Sequence, residues 1–206
     1  LGTLTTAASG AARLHWMSTA SSAGPRNVPT LLLEEQRTNL LFPSENFAST
    51  LWVKNMGTVT TGQTDPRGGT NGALVSDAST GVQGSLTRLL TVTSSTRGLL
   101  SWFAKQGTTS HINGTEFILT STGGGTTYIR ANVVWSSGKP TATITNRGTL
   151  VGNPSRWRNN YYRFQARTTA LLSTGAYRVE VYPAVGGGSP AAKGNVYLFG
   201  TQMEVL

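Results

Sequence analysis

Tyr128-Ile129-Arg130-Ala131-Asn132-Val133-Val134-Trp135 changes character almost residue by residue. Successive side chains of an extended strand point to opposite faces. Ile129, Ala131, Val133 and Trp135 therefore share one face, and Tyr128, Arg130 and Asn132 share the other. Two later stretches behave alike. In Tyr161–Thr168, Tyr162, Phe164 and Ala166 oppose Tyr161, Arg163, Gln165 and Arg167. In Gly175–Tyr182, Tyr177, Val179 and Val181 oppose Arg178, Glu180 and Tyr182. One dry face and one wet face per strand is the pattern of two antiparallel sheets packed against each other.

Outward from these stretches the pattern persists. Short runs rich in Thr, Val, Tyr, Trp and Ile are separated by Gly, Pro, Asn and Ser clusters, and no long segment carries apolar residues at helical spacing. Strands are predicted at Leu31–Leu33, Trp52–Asn55, Gly57–Thr61, Gly72–Val75, Gly84–Leu90, Leu99–Lys105, Glu116–Ser121, Thr126–Trp135, Thr141–Thr145, Tyr161–Thr168, Gly175–Tyr182 and Asn195–Val205. Turns are expected at Asp65-Pro66, Asn113-Gly114, Gly123–Gly125, Gly138–Pro140, Asn153-Pro154 and Gly186–Pro190. Asn113-Gly114 suits a tight hairpin, because both residues tolerate positive φ. One helical turn is expected near Ser44–Phe47. The fold class is all-β: an antiparallel β-sandwich of jelly-roll, concanavalin A-like type. Residues 1–30, rich in Ala, Ser, Thr and Gly, read as an extended N-terminal arm with a short strand at Ala12–Trp16, and residues 31–206 as the packed domain.

The chain has 206 residues, with 17 Lys and Arg against 8 Asp and Glu, a formal charge of +9. It has no Cys, which excludes a disulfide framework, a thiolate metal site and a cysteine nucleophile. No stretch approaches the length of an apolar membrane span, so no membrane insertion is expected. The basic residues are spread along the chain and no nucleic-acid motif accompanies them, so no nucleic-acid partner is expected. The first residue is Leu1 rather than Met, which suggests a processed product or a piece of a longer polypeptide; no signal-peptide pattern opens the chain.

Certain stretches carry a more specific signal. Leu32-Leu33-Glu34-Glu35-Gln36-Arg37-Thr38-Asn39-Leu40-Leu41 is followed by Ser44-Glu45-Asn46-Phe47 and Trp52. Later come Asp65-Pro66 with Gly68-Gly69-Thr70-Asn71-Gly72-Ala73, then Leu100-Ser101-Trp102-Phe103-Ala104-Lys105. Trp157 precedes Tyr162-Arg163, and Asn195-Val196-Tyr197-Leu198-Phe199-Gly200-Thr201-Gln202-Met203-Glu204 closes the series. In this order they resemble a carbohydrate-binding-module-like jelly roll found in bacteriophage tail fibres and head spikes. The extra Gly in the Asp65 turn and the strongly basic balance depart from that pattern. The resemblance implies a β-sandwich on the surface of a phage or phage-like particle, contacting host cell-surface glycan.

Sugar recognition needs flat apolar faces for the rings and directional polar groups for the hydroxyls. The wet faces supply both. The candidate glycan-binding residues are Tyr128, Arg130 and Asn132; Tyr161, Arg163, Gln165 and Arg167; and Arg178 and Tyr182 beside Glu180. Arg156 and Arg158 join them from the loop Asn153–Tyr161, where Trp157 reads as an anchor tucked into the core. If the three strands share a sheet, they form an aromatic and basic surface suited to an acidic polysaccharide, since an arginine fork holds two oxygens of an oxyanion. The same faces also read as subunit contacts or as plain solvated surface. Trp52, Trp102 and Trp135 are expected in the core.

Other chemistry finds little support. His15 and His111 stand apart from any ligand spacing, and no metal or cofactor is expected. Asp65 reads as an Asx-type turn, with a structural Ca²⁺ as the alternative. Glu34 and Glu35 are adjacent and would face apart on a strand; Glu180 and Glu204 have no catalytic motif around them.

The expectation is therefore a virion surface subunit, on capsid or tail, that binds host polysaccharide without catalysis. Residues 1–30 would contact other virion subunits, and by analogy the assembly is a homotrimer. The alternatives are a purely structural decoration or trimerisation subunit, and a polysaccharide depolymerase.

Overall fold

A computed structural model describes residues 38–79, 83–109, 113–185 and 193–206, together with the backbone of two strands before them. The chain divides into two units, Leu1–Thr38 and Asn39–Leu206. In the first, β1 (Arg13–Thr19) pairs antiparallel with β2 (Arg26–Leu32), Arg13 opposite Leu32 and Thr19 opposite Arg26. This ladder takes in residues 13–19 and 26–30 of the stretch expected as an extended arm and continues to Leu32. His15 lies on β1. His111, Leu33, Glu34, Glu35 and the turn expected at 186–190 fall outside the described residues.

Among its described residues the second unit carries thirteen strands: β3 (Trp52–Asn55), β4 (Gly57–Gln63), β5 (Gly72–Asp77), β6 (Ser85–Val92), β7 (Gly98–Gln106), β8 (Thr115–Ser121), β9 (Thr127–Ser136), β10 (Lys139–Thr145), β11 (Gly148–Leu150), β12 (Ser155–Arg156), β13 (Tyr162–Thr168), β14 (Gly175–Tyr182) and β15 (Gly194–Val205). Six of them form one sheet in the order β10-β9-β8-β14-β6-β3. The other sheet runs β11-β13-β7-β15-β5-β4, with β12 added beside β13. All the ladders are antiparallel. This is the expected all-β sandwich of jelly-roll class.

The core lies between the sheets, where the dry faces meet. Trp102 of β7 stacks on Phe117 of β8 at 4.4 Å and on Phe164 of β13 at 5.3 Å, so one indole ties the two layers together. Trp135 meets Phe164 and Tyr162 edge-on. Trp52, Trp102, Phe117 and Phe164 are essentially inaccessible to water. Truncating such a ring to Ala typically costs about 3–5 kcal/mol.

Two local expectations are corrected. Asn113-Gly114 does not close a hairpin, because β7 and β8 belong to different sheets and the chain crosses between layers there. The two-residue turn is instead Ser137-Gly138, both at positive φ (48° and 77°), which joins β9 to β10 with Ser136 opposite Lys139. That geometry matches the right-handed twist of the strands it connects. Ser44 and Glu45 are bends and Phe47 begins a non-helical turn, so no helical turn forms at Ser44–Phe47; the short 3₁₀ turn lies at Arg158–Asn160.

Candidate functional site

The pairing register sets which side chains share the outer face of the six-stranded sheet, since residues opposite each other across an antiparallel ladder lie on the same side. Arg130, Ile118, Glu180, Thr87 and Val53 form one row across five strands. Asn132, Glu116 and Tyr182 form the neighbouring row. Arg178 is next to them on β14, opposite Thr120 and Leu89. The face therefore unites Arg130, Asn132, Arg178 and Tyr182.

Charge balance decides what this face offers. Arg130 Nη1 donates to both carboxylate oxygens of Glu116, at 3.1 and 3.0 Å. Arg178 Nε donates to Glu180 Oε2 at 2.9 Å, and the Tyr182 hydroxyl donates to Glu180 Oε1 at 3.1 Å. Glu116 and Glu180 are more than nine-tenths buried although they face outward, with these partners lying against them. Burial and the neighbouring Glu180 push the Tyr182 phenol up to about 12. Two arginines and two glutamates sum to zero. The network is thus an ordered hydrogen-bonding platform whose two arginines are balanced by two glutamates. Asn132 donates from Nδ2 to the Asn113 carbonyl at 2.9 Å, while its buried Oδ1 finds no partner among the described residues.

Tyr128 is not on this face. The β8–β9 register slips between Leu119 and Thr120, so that Leu119 faces Ile129 and Thr120 faces Thr127. The extra residue left over is Tyr128, and a bulge re-aims its side chain. The ring turns inward, 7% exposed, and meets Tyr177 edge-on at 5.7 Å. Strict alternation cannot anticipate such a shift.

Arg163, Gln165 and Arg167 lie on the opposite sheet, so the condition that all three strands share a surface fails. Arg163 faces Phe103 across the β7–β13 ladder, with its guanidinium carbon 5.9 Å from the ring centre. Tyr161, just before β13, is fully buried, and its hydroxyl donates to the Thr64 carbonyl at 3.0 Å. Burial, with Asp65 and Tyr197 nearby, raises its phenol far above the ordinary range. Trp157 is 45% exposed and touches Phe103 edge-on at 5.1 Å, so it lies on this outer surface rather than in the core. Arg158 is exposed in the 3₁₀ turn. Arg156 is separate again: its Nη2 donates to Asn160 Oδ1 at 2.7 Å beside a recess at one edge of the sandwich.

Asp65 is a structural turn residue. Its Oδ1 accepts from the backbone N–H of Arg67 at 2.7 Å and Gly69 at 3.0 Å, and Oδ2 accepts from Asn71 at 3.2 Å. Burial pushes the carboxyl up, but these backbone donors outweigh it and hold the group below the usual carboxylate range.

The sequence reading passed over Glu116 and Lys105. Glu116 was legible as the single acid heading the apolar run Phe117-Ile118-Leu119, and Lys105 as the lone cation ending Ser101-Trp102-Phe103-Ala104.

No protein-family model matches the chain, and no curated protein matches it in sequence. Among solved structures, the enzymatically active domain of bacteriophage CBA120 tailspike protein 4 superposes with a TM-score of 0.50 at 12% identity, over 82% of this chain and 21% of that one. The chain thus spans about a fifth of the tailspike's length. The CBM22-1 xylan-binding domain from Paenibacillus barcinonensis Xyn10C gives 0.45 at 14% identity, over 75% of this chain and 85% of that one. The carbohydrate-binding module CBM6cm-2 of Cellvibrio mixtus lichenase 5A, solved with cellotriose, gives 0.39 at 15%, over 73% and 88%. At such identities the tailspike likeness speaks to the fold alone.

Proposed function

We propose that this chain is a non-catalytic glycan-recognition domain of a phage or phage-like surface fibre or spike, binding host polysaccharide on the outer face of its six-stranded sheet. The observation that carries the reading is the network Arg130–Glu116 and Arg178–Glu180–Tyr182. Sugar hydroxyls are numerous and directional, so a binding face gains from donors whose orientation is set before the ligand arrives. Each arginine spends one nitrogen on its glutamate and keeps further N–H donors, on side chains that are 44% exposed. The absence of catalysis belongs to the same reading. A glycosidase needs one carboxyl to give a proton and another to attack or activate water. Here the oxygens of both glutamates are engaged by Arg130, Arg178 and Tyr182.

The test is a glycan array and adsorption assay with the full chain, and with Arg178→Ala and Tyr182→Phe. Binding to a host polysaccharide that either variant weakens, with an unchanged melting temperature, supports the reading. Folded protein that binds no envelope glycan overturns it. Release of reducing ends from that polysaccharide, lost on Glu180→Gln, would establish a depolymerase instead.

One observation favours the structural alternative. Val53 and Leu89 expose about half their area on the outward side of β3 and its neighbour β6, and Phe42, Leu51 and Met56 are also exposed. Scattered apolar residues are ordinary, but a patch at a sheet edge suits a subunit contact. Val53→Asp with Leu89→Asp, followed by light scattering, tests this: a lost oligomer supports assembly through the edge, and an unchanged mass removes it.

A further inference from the structure

We propose that the recess walled by the end of β7, the β9–β10 turn and the 3₁₀ turn is a binding site for the oxyanion of an acidic sugar residue, a carboxylate or a sulfate. The recess has a volume of about 340 Å³. Its wall is formed by Lys105 and Gln106 of β7, Lys139 of the hairpin, Arg156 of β12, Asn160 of the 3₁₀ turn, and Tyr162. Ser137, Gly138 and Gly107 complete it. One wall therefore comes from each sheet.

Both walls are braced. Gln106 Oε1 accepts from the Gly138 backbone N–H at 2.7 Å, which pins the hairpin tip to the other sheet. Arg156 Nη2 donates to Asn160 Oδ1 at 2.7 Å, which fixes the guanidinium and leaves its other nitrogens to donate elsewhere. A site built this way loses little freedom when a ligand enters.

The electrostatics point to an anion. The lining holds three cations, Lys105, Lys139 and Arg156, and no carboxylate. Elsewhere on this domain Arg67, Arg130 and Arg178 are each paired with a glutamate. Lys105 is half-buried and has no ion pair among the described residues; its ammonium instead lies over the rings of Tyr197 at 4.1 Å and Tyr161 at 5.2 Å. Burial holds its pKa below the usual lysine range. Lys139 and Arg156 in the lining repel one another and give the recess a positive field, with the Lys105 ammonium held aside over its two rings, and a bound oxyanion removes that repulsion. Arginine's fork suits two oxygens of one anion, and the lysines act as point charges beside it.

Size selects the sugar. Small-molecule sites begin at roughly 300 Å³, so this recess admits one ring as well as its charged group. Asn160, Ser137 and Gln106 can bond to hydroxyls, and the half-buried Tyr162 ring is an apolar wall. The inference rests on the glycan reading for the saccharide, and on the recess's own charges for the anion.

The experiment is amide NMR of the full chain titrated with glucuronate, sodium sulfate, glucose and a neutral glucan oligosaccharide. Glucuronate should give saturable shifts at Gly107, Ser137, Gly138 and Asn160, with glucose giving none at equal concentration. Lys139→Gln and Arg156→Gln are exposed changes that should leave melting unchanged and each weaken glucuronate by about tenfold, the loss of one charge-assisted hydrogen bond. Sulfate binding as tightly as glucuronate overturns the sugar assignment. The absence of saturable shifts, or shifts indifferent to both variants, overturns the site. Shifts of the Glu116, Ile118 and Arg130 amides with the neutral oligosaccharide report separately on the sheet face, so failure of one site is distinguishable from failure of the other.

Discussion

Arg130 Nη1 sits 3.1 Å from one carboxylate oxygen of Glu116 and 3.0 Å from the other, from a strand position opposite Ile118 rather than opposite Glu116. The pair is diagonal across the β8–β9 ladder. It holds the arginine along the sheet rather than letting it stand into solvent, and it cancels the charge that the sequence places there.

Removing the cation of this pair should cost stability. Arg130→Ala leaves a buried Glu116 without its cation, for an expected loss of about 1–3 kcal/mol. The coupling in a double-mutant cycle with Glu116→Gln should stay below about 1 kcal/mol, because the arginine side chain is 44% exposed and screened by water. Urea denaturation of the four proteins measures both quantities.

Tyr128 should behave as a core residue. Tyr128→Ala is expected to destabilise by about 3 kcal/mol or more, and Tyr128→Phe by less than about 1 kcal/mol. Neither should alter glycan affinity in the protein that remains folded. A Tyr128→Phe variant with wild-type stability and lost binding would place the ring at a ligand instead.

Acid should loosen the turn at Asp65. Its folded-state pKa lies below the ordinary carboxyl value of 3.8, so the stabilisation is present above that value and is lost as pH falls through the lower, folded one. Melting temperatures from pH 6 down to pH 2.5 should fall less steeply below about pH 4 for Asp65→Asn than for the wild type. At neutral pH the variant should be less stable, since an amide nitrogen cannot accept the Asn71 N–H that Oδ2 accepts.

Tyr182 should titrate late. Its pKa of about 12 exceeds the ordinary phenol value of 10.0, so the associated stabilisation is complete below pH 10 and fades as pH rises through the folded value. Absorbance titration should show this phenol moving towards 10.0 in Glu180→Gln, which removes the adjacent charge. An unchanged titration would separate Tyr182 from Glu180.

Two glycines with similar φ should respond differently to Ala. At Gly114 (φ +84°) a Cβ would stand 2.3 Å from the Val133 carbonyl oxygen, a backbone atom that cannot step aside; at Gly62 (φ +76°) it would meet nothing within 4 Å. Gly62→Ala should therefore show only the left-handed strain, about 1–2 kcal/mol, and Gly114→Ala should exceed it, as thermal unfolding would show.

The sandwich was legible because its signal is local. Trp52–Asn55 and Gly175–Tyr182 were predicted with the bounds they have, and the inward residues Tyr177, Val179 and Val181 are all buried. The short β11 and β12 were missed, since two or three residues carry no period. The hairpin was expected at Asn113-Gly114 and occurs at Ser137-Gly138, because a turn dipeptide states what the backbone tolerates and not which strands will pair.

By itself, then, the sequence determined the fold class and the wet or dry side of most strands, through the two-residue alternation that an extended backbone imposes. Only the tertiary structure decided that β13 belongs to a different sheet from β9 and β14, that a bulge turns Tyr128 inward, and that Arg130 and Arg178 meet acids while Lys105, Lys139 and Arg156 gather around a recess without one. Those facts depend on pairing between strands distant in the chain, where proximity is set by the joint packing of two layers and by no neighbouring residue.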